Sequence, residues 1–275
     1  MRRCYSSTTF HKVKQERGVD EMAKRSIACI VAAAVLFMGL SAVYYYFRGQ
    51  QFVATMRTIA APSEGTELRL IIDPGHGGAD GGAVSLTGVE EDEINLAIAL
   101  RLEALAALYG VPVQMTRRTA DLDYPEDAVT IRAKKVADTR ARVALINTTP
   151  NAVVISIHQN TYDGPGASGP QVLFAQTQAS EAFAQIMQDA LTAGLQLEHP
   201  RTPTRVPRGV FIMNHIDCPA ILIECGFLSN PDEEALLRTE THQLKLAGIL
   251  LAGYMQSIEL LETRQFTAYQ SDEFR

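Results

Sequence analysis

Two histidines in this 275-residue chain stand where buried strands would end. His76 follows the apolar run 68–72 in LRLIIDPGHGGADGGA, and His158 closes the apolar run 153–157 in VVISIHQN. In an open α/β sheet, residues just past the carboxyl ends of the strands line the functional crevice. Histidines placed alike on two strands can therefore meet above one edge of the sheet. Between them in sequence, GVEEDEINLAIALRL supplies Glu90, Glu91 and Glu93 at the mouth of a helix. Two histidines and one carboxylate, with a fourth position open, make the ligand set of a catalytic zinc hydrolase. Spacing alone leaves open which glutamate binds, and acidic residues in a first helical turn are also ordinary partners of the helix dipole.

A third signal lies in CPAILIECGFLSN, where Glu224 interrupts what would otherwise be a wholly apolar strand. A carboxylate there is costly to ionise unless it is paired or near a cation. Beside a metal-activated water it becomes a general base, and alone it reads equally well as half of a structural ion pair. The glycines around His76 leave that side chain unshielded. A phosphate-binding reading of the same loop lacks support, because there is neither GxGxxG nor a Lys-Ser/Thr pair.

Other candidates are weaker. Gln159 and Asn160 follow His158 and are placed to orient it or to bind substrate. Arg208, just before the apolar run 209–213, is a candidate for the substrate's carboxylates or backbone, or simply a solvated arginine. Asp73 either supports His76 from behind or caps the turn. His199, His215 and His242 do not end apolar strands and read as surface or satisfied histidines. His11 lies in a basic amino-terminal arm.

These residues need a sheet to position them. Short apolar runs alternate with amphipathic stretches, the pattern of an α/β domain with helices on the faces of its sheet. The expected strands are 68–72, 112–116, 153–158, 171–175, 209–213 and 220–225. The expected helices are 93–109, stopped by Gly110, then 130–147, 181–195 and 240–261. The expectation is one domain over 68–262 with a twisted, mostly parallel or mixed sheet of about six strands, followed by a polar tail over 263–275. Cys218 and Cys225 sit at opposite ends of the last strand, too far apart for a disulfide, and read as small buried residues.

Composition agrees with a globular domain, at 47% apolar and 20% charged residues. Four cysteines are too few for a disulfide framework, so stability must come from a core. Charge is uneven: residues 1–25 carry seven Lys/Arg against three Asp/Glu, whereas residues 51–275 carry 17 against 28. An acidic main domain argues against nucleic acid as a partner. Between the two regimes, residues 26–47 run for 22 positions without a charge. At 1.5 Å per residue that is about 33 Å, enough to cross a bilayer core. The basic flank before it and Tyr44, Tyr45 and Tyr46 at its far end predict a transmembrane signal-anchor. The arm 1–25 would then be cytoplasmic, 48–67 a linker, and the domain extracytoplasmic at the cell membrane. A cleaved signal peptide is the alternative, but the run is long and tyrosines stand where small residues should be.

Taken in order, DPGHGG, the GxxExxxNL-type helix start, SIHQN and PAILIECGFLSNP resemble the zinc-dependent N-acetylmuramoyl-L-alanine amidases (amidase type 3) over residues 68–260. IRAKKVADTRARVALIN and the lack of an added wall-binding repeat look most like the germination-specific spore-cortex amidases, the CwlD type. The resemblance implies one Zn2+ held by His76, Glu91 and His158, with Glu224 as the catalytic glutamate. It implies hydrolysis of the amide between the lactyl group of N-acetylmuramic acid and L-alanine. Peptidoglycan is then the substrate, and an activator protein a candidate partner. Two rivals stand beside this reading: a zinc peptidase acting on another wall bond, and a membrane-anchored wall-binding protein that no longer turns over.

Overall fold

β1 (Arg69–Pro74), with five of its six residues buried, forms because RLIIDP is apolar on both faces and ends at a proline that cannot continue a ladder. In the computed structural model, which describes residues 67–162 and 166–272 and side chains as far as 263, β1 is the second strand of a six-stranded mixed sheet. β2 (Val113–Met115), β3 (Ala152–Asn160), β4 (Gln171–Phe174), β5 (Thr204–Arg205) and β6 (Ala220–Phe227) complete it in the order β2-β1-β3-β6-β4-β5. β1 pairs in parallel with β2 and β3, and β3 with β6. β4 runs antiparallel to β6, with β5 parallel to β4 at the edge.

Among the described residues, five helices cover the two faces. α1 (Glu91–Leu108) opens on three acidic residues and ends at Tyr109, with Gly110 in the left-handed region. α2 (Ile131–Thr148) is capped by the Thr130 hydroxyl, which accepts from the Ala133 amide at 3.1 Å. α3 (Ser180–Leu195), α4 (Pro231–Leu237) and α5 (Glu240–Asp272) follow. α4 is a short helix absent from the sequence expectation; Asn230 caps it and Pro231 begins it. α5 extends past the expected end at residue 261.

One apolar cluster joins Leu70, Ile72, Ile155 and Ile223 of the sheet to α1, α3 and α5 through Ile98, Leu102, Phe183, Met187, Leu250 and Tyr254. The other face packs Ile71, Val154 and Leu222 against Ile146 of α2 and against Val206, Met213 and Ile216. Among the described residues Glu240–Thr263 is long and apolar enough to cross a membrane, with mean hydropathy 1.3. Leu246, Ala247, Leu250, Leu251 and Tyr254 of that stretch are nonetheless buried in the core. The expected anchor over 26–47, with its arm and linker, lies outside the described residues.

The expected strand over 209–213 is not formed. Pro207 starts a turn, in which the Val210 amide donates to the Pro207 carbonyl at 3.1 Å, and the chain winds into a 3-10 turn at Ile212–Asn214. Asn214 Nδ2 donates to the carbonyls of Pro207 and Val210 at 3.0 and 2.6 Å, holding that turn closed. A short apolar run has no periodicity that separates a strand from a buried turn. The edge strand is Thr204–Arg205 instead, a polar, exposed pair that gave no such signal.

Candidate functional site

The parallel register decides what meets at the carboxyl end of the sheet. Pro74 is level with Ile157 and His158 with Glu224, so the turn after β1, His158 and Glu224 stand side by side across three adjacent strands. Because Gly75 follows directly, its missing side chain is what gives His158 room: a Cβ there would lie 2.2–2.6 Å from three atoms of the His158 ring. Gly82, at φ +76°, does the same for the other side, where a Cβ would fall 2.6 Å from Glu91 Oε2 and 2.8 Å from His76 Cδ2. Gly75→Ala is expected to force the ring aside. The expected cost is about 1–3 kcal/mol in stability, read by thermal unfolding, with a loss of bound metal read by elemental analysis.

Of the three glutamates at the mouth of α1, Glu90 and Glu93 are exposed and Glu91 is buried. Glu91 Oε1 lies 3.0 Å from His158 Nδ1, and Oε2 lies 3.3 Å from His76 Nε2. The two rings meet edge to face with centroids 5.0 Å apart. Three further donors fix the carboxylate: the Ala83 amide to Oε2 at 2.9 Å, and the Gln159 amide and Asn95 Nδ2 to Oε1 at 3.0 and 3.1 Å. Burial alone would raise Glu91, but the His158 hydrogen bond and the charges of both histidines outweigh it and draw the group down to about 2. For His158, burial disfavours the charged ring, while Glu91 outweighs it and raises the group.

Glu224 is the opposite case. Its Oε2 is shielded from solvent and has no hydrogen-bond partner among the described residues. Burial pushes the carboxyl up to about 7; His158 works against that rise and Glu91 with it. Two neighbouring carboxyl groups held at such different values are the mark of a division of labour, one a fixed anion and the other able to exchange a proton near neutrality.

His76, Glu91 and His158 each offer one ligand atom, and these atoms all lie within 4.8 Å of one another. Two imidazole nitrogens and a carboxylate oxygen drawn together in this way fit a divalent cation of the zinc type. Asn95 is buried and couples the parts. Besides Glu91, its Nδ2 donates to the Gly75 carbonyl at 3.2 Å, and its Oδ1 accepts from Gln159 Nε2 at 3.1 Å. Its position four residues after Glu91 on one helix face was a readable signal that the sequence reading left without a role.

Asp73 does not bond His76 directly. Wholly buried, it accepts from Thr116 and Ser156 at 2.7 Å each and from Arg142 Nη1 at 2.9 Å. Burial would raise its carboxyl, but Arg142 and the two hydroxyls outweigh that and lower it. Arg117 donates to the carbonyls of Pro74 and Gly75 at 3.0 Å each and of Asp92 at 2.9 Å, tying the β1 turn to α1. Asp80 Oδ2 lies 2.9 Å from His76 Nδ1. Burial opposes the charge on Asp80, but Lys135 and His76 outweigh it and keep the group below the usual carboxylate range.

Asn160 ends β3 level with Phe227, past a register shift that follows His158. Arg208 is exposed and does not join the cluster. The Val206 amide donates to the Phe174 carbonyl, and Phe174 is level with Ile221, so the chain has reached the start of β6 before Arg208. His199 and His215 are exposed and His242 is half-buried, all outside the ligand group. Cys218 and Cys225 are free thiols, both pushed up by burial.

Residues 70–254 match the family model described as N-acetylmuramoyl-L-alanine amidase. The chain belongs to that family. It is 36% identical over 188 residues to the germination-specific N-acetylmuramoyl-L-alanine amidase of Bacillus subtilis, covering 68% of this chain and 78% of that one. Among solved structures, the CwlD amidase from Clostridioides difficile in complex with the GerS lipoprotein is 30% identical with a TM-score of 0.67, over 70% of this chain and 100% of that one. The catalytic domain of CwlV, an amidase from Bacillus (Paenibacillus) polymyxa, is 27% identical with a TM-score of 0.59, over 70% and 98%. The chain is thus an N-acetylmuramoyl-L-alanine amidase, a hydrolase of an amide in peptidoglycan.

Proposed function

We propose that this amidase is zinc-dependent, with His76, Glu91 and His158 holding the metal and Glu224 acting as general base and then general acid. The observation that supports the reading is the level pairing of Glu224 with His158, one of three residues whose candidate ligand atoms lie within 4.8 Å of one another. When bound, the metal supplies Lewis acidity: it polarises a carbonyl and makes water a nucleophile near neutral pH. Glu91, locked by three donors, keeps its charge and its orientation. Glu224 accepts a proton from the attacking water and returns it to the departing nitrogen of L-alanine, so the amide C–N bond breaks to a lactyl carboxylate and a free amine. Asn160, which ends β3 two residues after His158, is assigned to substrate contact in this reading.

The substrate bond is the lactyl–L-alanine amide, and cortex peptidoglycan is the preferred material. Support comes from the germination-specific amidase of Bacillus subtilis and the CwlD amidase of Clostridioides difficile, both at 30% identity or more. The latter was solved with a lipoprotein, which supports an activator partner for this chain. The charge-free run 26–47 supports a single-pass anchor with the domain extracytoplasmic.

The test is mass spectrometry of purified wall and cortex peptidoglycan after incubation with the chain and zinc. Stem peptides bearing a new L-alanine amine are expected, and a chelator should abolish them. Release of fragments cut within the stem peptide, with the lactyl amide intact, would replace this reading with a peptidase.

A further inference from the structure

α2 touches the His76 loop at two places, both through cationic side chains. Arg142 is buried and donates from Nη1 to the Pro74 carbonyl at 2.7 Å as well as to Asp73, and from Nη2 to the His76 carbonyl at 2.6 Å. Its Nε bonds Asp138 Oδ1 on the same helix at 3.0 Å, which fixes the guanidinium plane. Two turns earlier, Lys135 Nζ lies 2.8 Å from Asp80 Oδ2, the same oxygen that faces His76 Nδ1. Otherwise α2 gives the core little, since Arg142 and Ile146 are its only fully buried residues. His76 itself sits at φ +61°, a conformation that a non-glycine residue holds only when its surroundings impose it.

We propose that α2 is a positioning element for the metal. Arg142 holds the backbone of the His76 loop, and the Lys135–Asp80 pair selects the His76 tautomer that turns Nε2 toward Glu91. The proposal rests on the reading of His76, Glu91 and His158 as a metal site. A neutral imidazole carries a single N–H. With that proton on Nδ1 it donates to Asp80, and the lone pair on Nε2, 3.3 Å from Glu91 Oε2, is free for a cation. Without Asp80, both tautomers and a rotated ring compete for the same space. Lys135 is about half exposed, so its role is to keep Asp80 in place rather than to stabilise the core. Asp80 is not one of the three grouped ligands, and its part is played through His76.

The test uses the full chain and measures zinc affinity by competition with a chromophoric chelator, together with the absorption spectrum of the cobalt-loaded protein. Asp80→Ala is expected to weaken zinc binding about 10–100-fold and to shift the cobalt bands, while substrate KM at saturating metal stays unchanged. Lys135→Met, at a half-exposed surface position, should weaken binding about 2–5-fold, an effect that fades in high salt. Arg142→Lys keeps the charge but loses the planar fork, and is expected to weaken zinc binding also. Arg140→Met, exposed on the same helix, is the control and should bind zinc as the parent does. Parent-like affinity and cobalt spectra in both Asp80→Ala and Lys135→Met would overturn the proposal. If the unmodified chain failed to hold zinc, or His158→Ala held it unchanged, the metal reading itself would fall.

Discussion

Glu91→Gln is expected to remove the bound metal and to lower amidase activity by more than about 10³-fold, because the nucleophile then lacks its source near neutral pH. The substitution keeps the shape of the side chain, so the effect isolates charge and hydrogen-bond polarity. The Ala83 amide approaches one oxygen, and the Gln159 amide and Asn95 approach the other. An amide presents a single oxygen, so at least one of these donors would face an N–H, at a cost of about 1–3 kcal/mol. Elemental analysis and product release should fall together. Full zinc content with lost activity would move Glu91 out of the ligand set.

The same residue adds to the acid sensitivity of the metal-free domain, beside Asp73 and Asp80, which are also held below the usual carboxylate range. The Glu91 carboxyl is held down at about 2 in the folded state against an ordinary 4.5. A lowered folded value contributes stability that is present above pH 4.5 and lost as pH falls through 2, here about 3 kcal/mol. Chemical denaturation of the chelated parent between pH 6 and 2 should show that decline, and Glu91→Gln should lack its share of it.

What the sequence revealed about this site follows from how local each signal is. His76, His158 and Glu224 were legible because a polar residue just after, closing or interrupting a continuous apolar run stands out within a few residues. The parallel strands β1, β3 and β6 then brought all three together at the carboxyl end of the sheet. Local spacing left Glu90, Glu91 and Glu93 equivalent; the family resemblance pointed to Glu91, and the physical reason, the rotational setting of α1, is fixed only by packing. Arg117, Arg142 and Asp80 carried no local mark. Arg142 reaches partners 66–69 residues away in sequence, and nothing in RARVALIN distinguishes that arginine from its exposed neighbours. The strand expected over 209–213 fails for the same reason, since burial of Met213 and Ile216 beneath the second face of the sheet is satisfied by a turn as well as by a strand.

Glu224→Gln is expected to separate catalysis from stability. If Glu224 is the general base, as proposed, its loss should lower kcat by about 10²–10⁴-fold while zinc content stays at the parent level. Stability of the metal-free domain should move the other way. Burial raises the Glu224 carboxyl to about 7, so its contribution is full below pH 4.5 and is lost as pH rises through 7. At pH 8 the parent carries this buried charge, a penalty of about 3 kcal/mol relative to pH 4. Glutamine has no charge to bury, so the metal-free variant should melt about 5–10 °C higher than the metal-free parent at pH 8 and nearly equally at pH 4. A bound cation stabilises the carboxylate, so zinc should shrink the difference at pH 8 and move the acid limb of parent activity below pH 7. Equal melting of the two metal-free proteins at both pH values would mean that Glu224 is not the desolvated carboxylate described here, and would remove the physical basis for its role as the base.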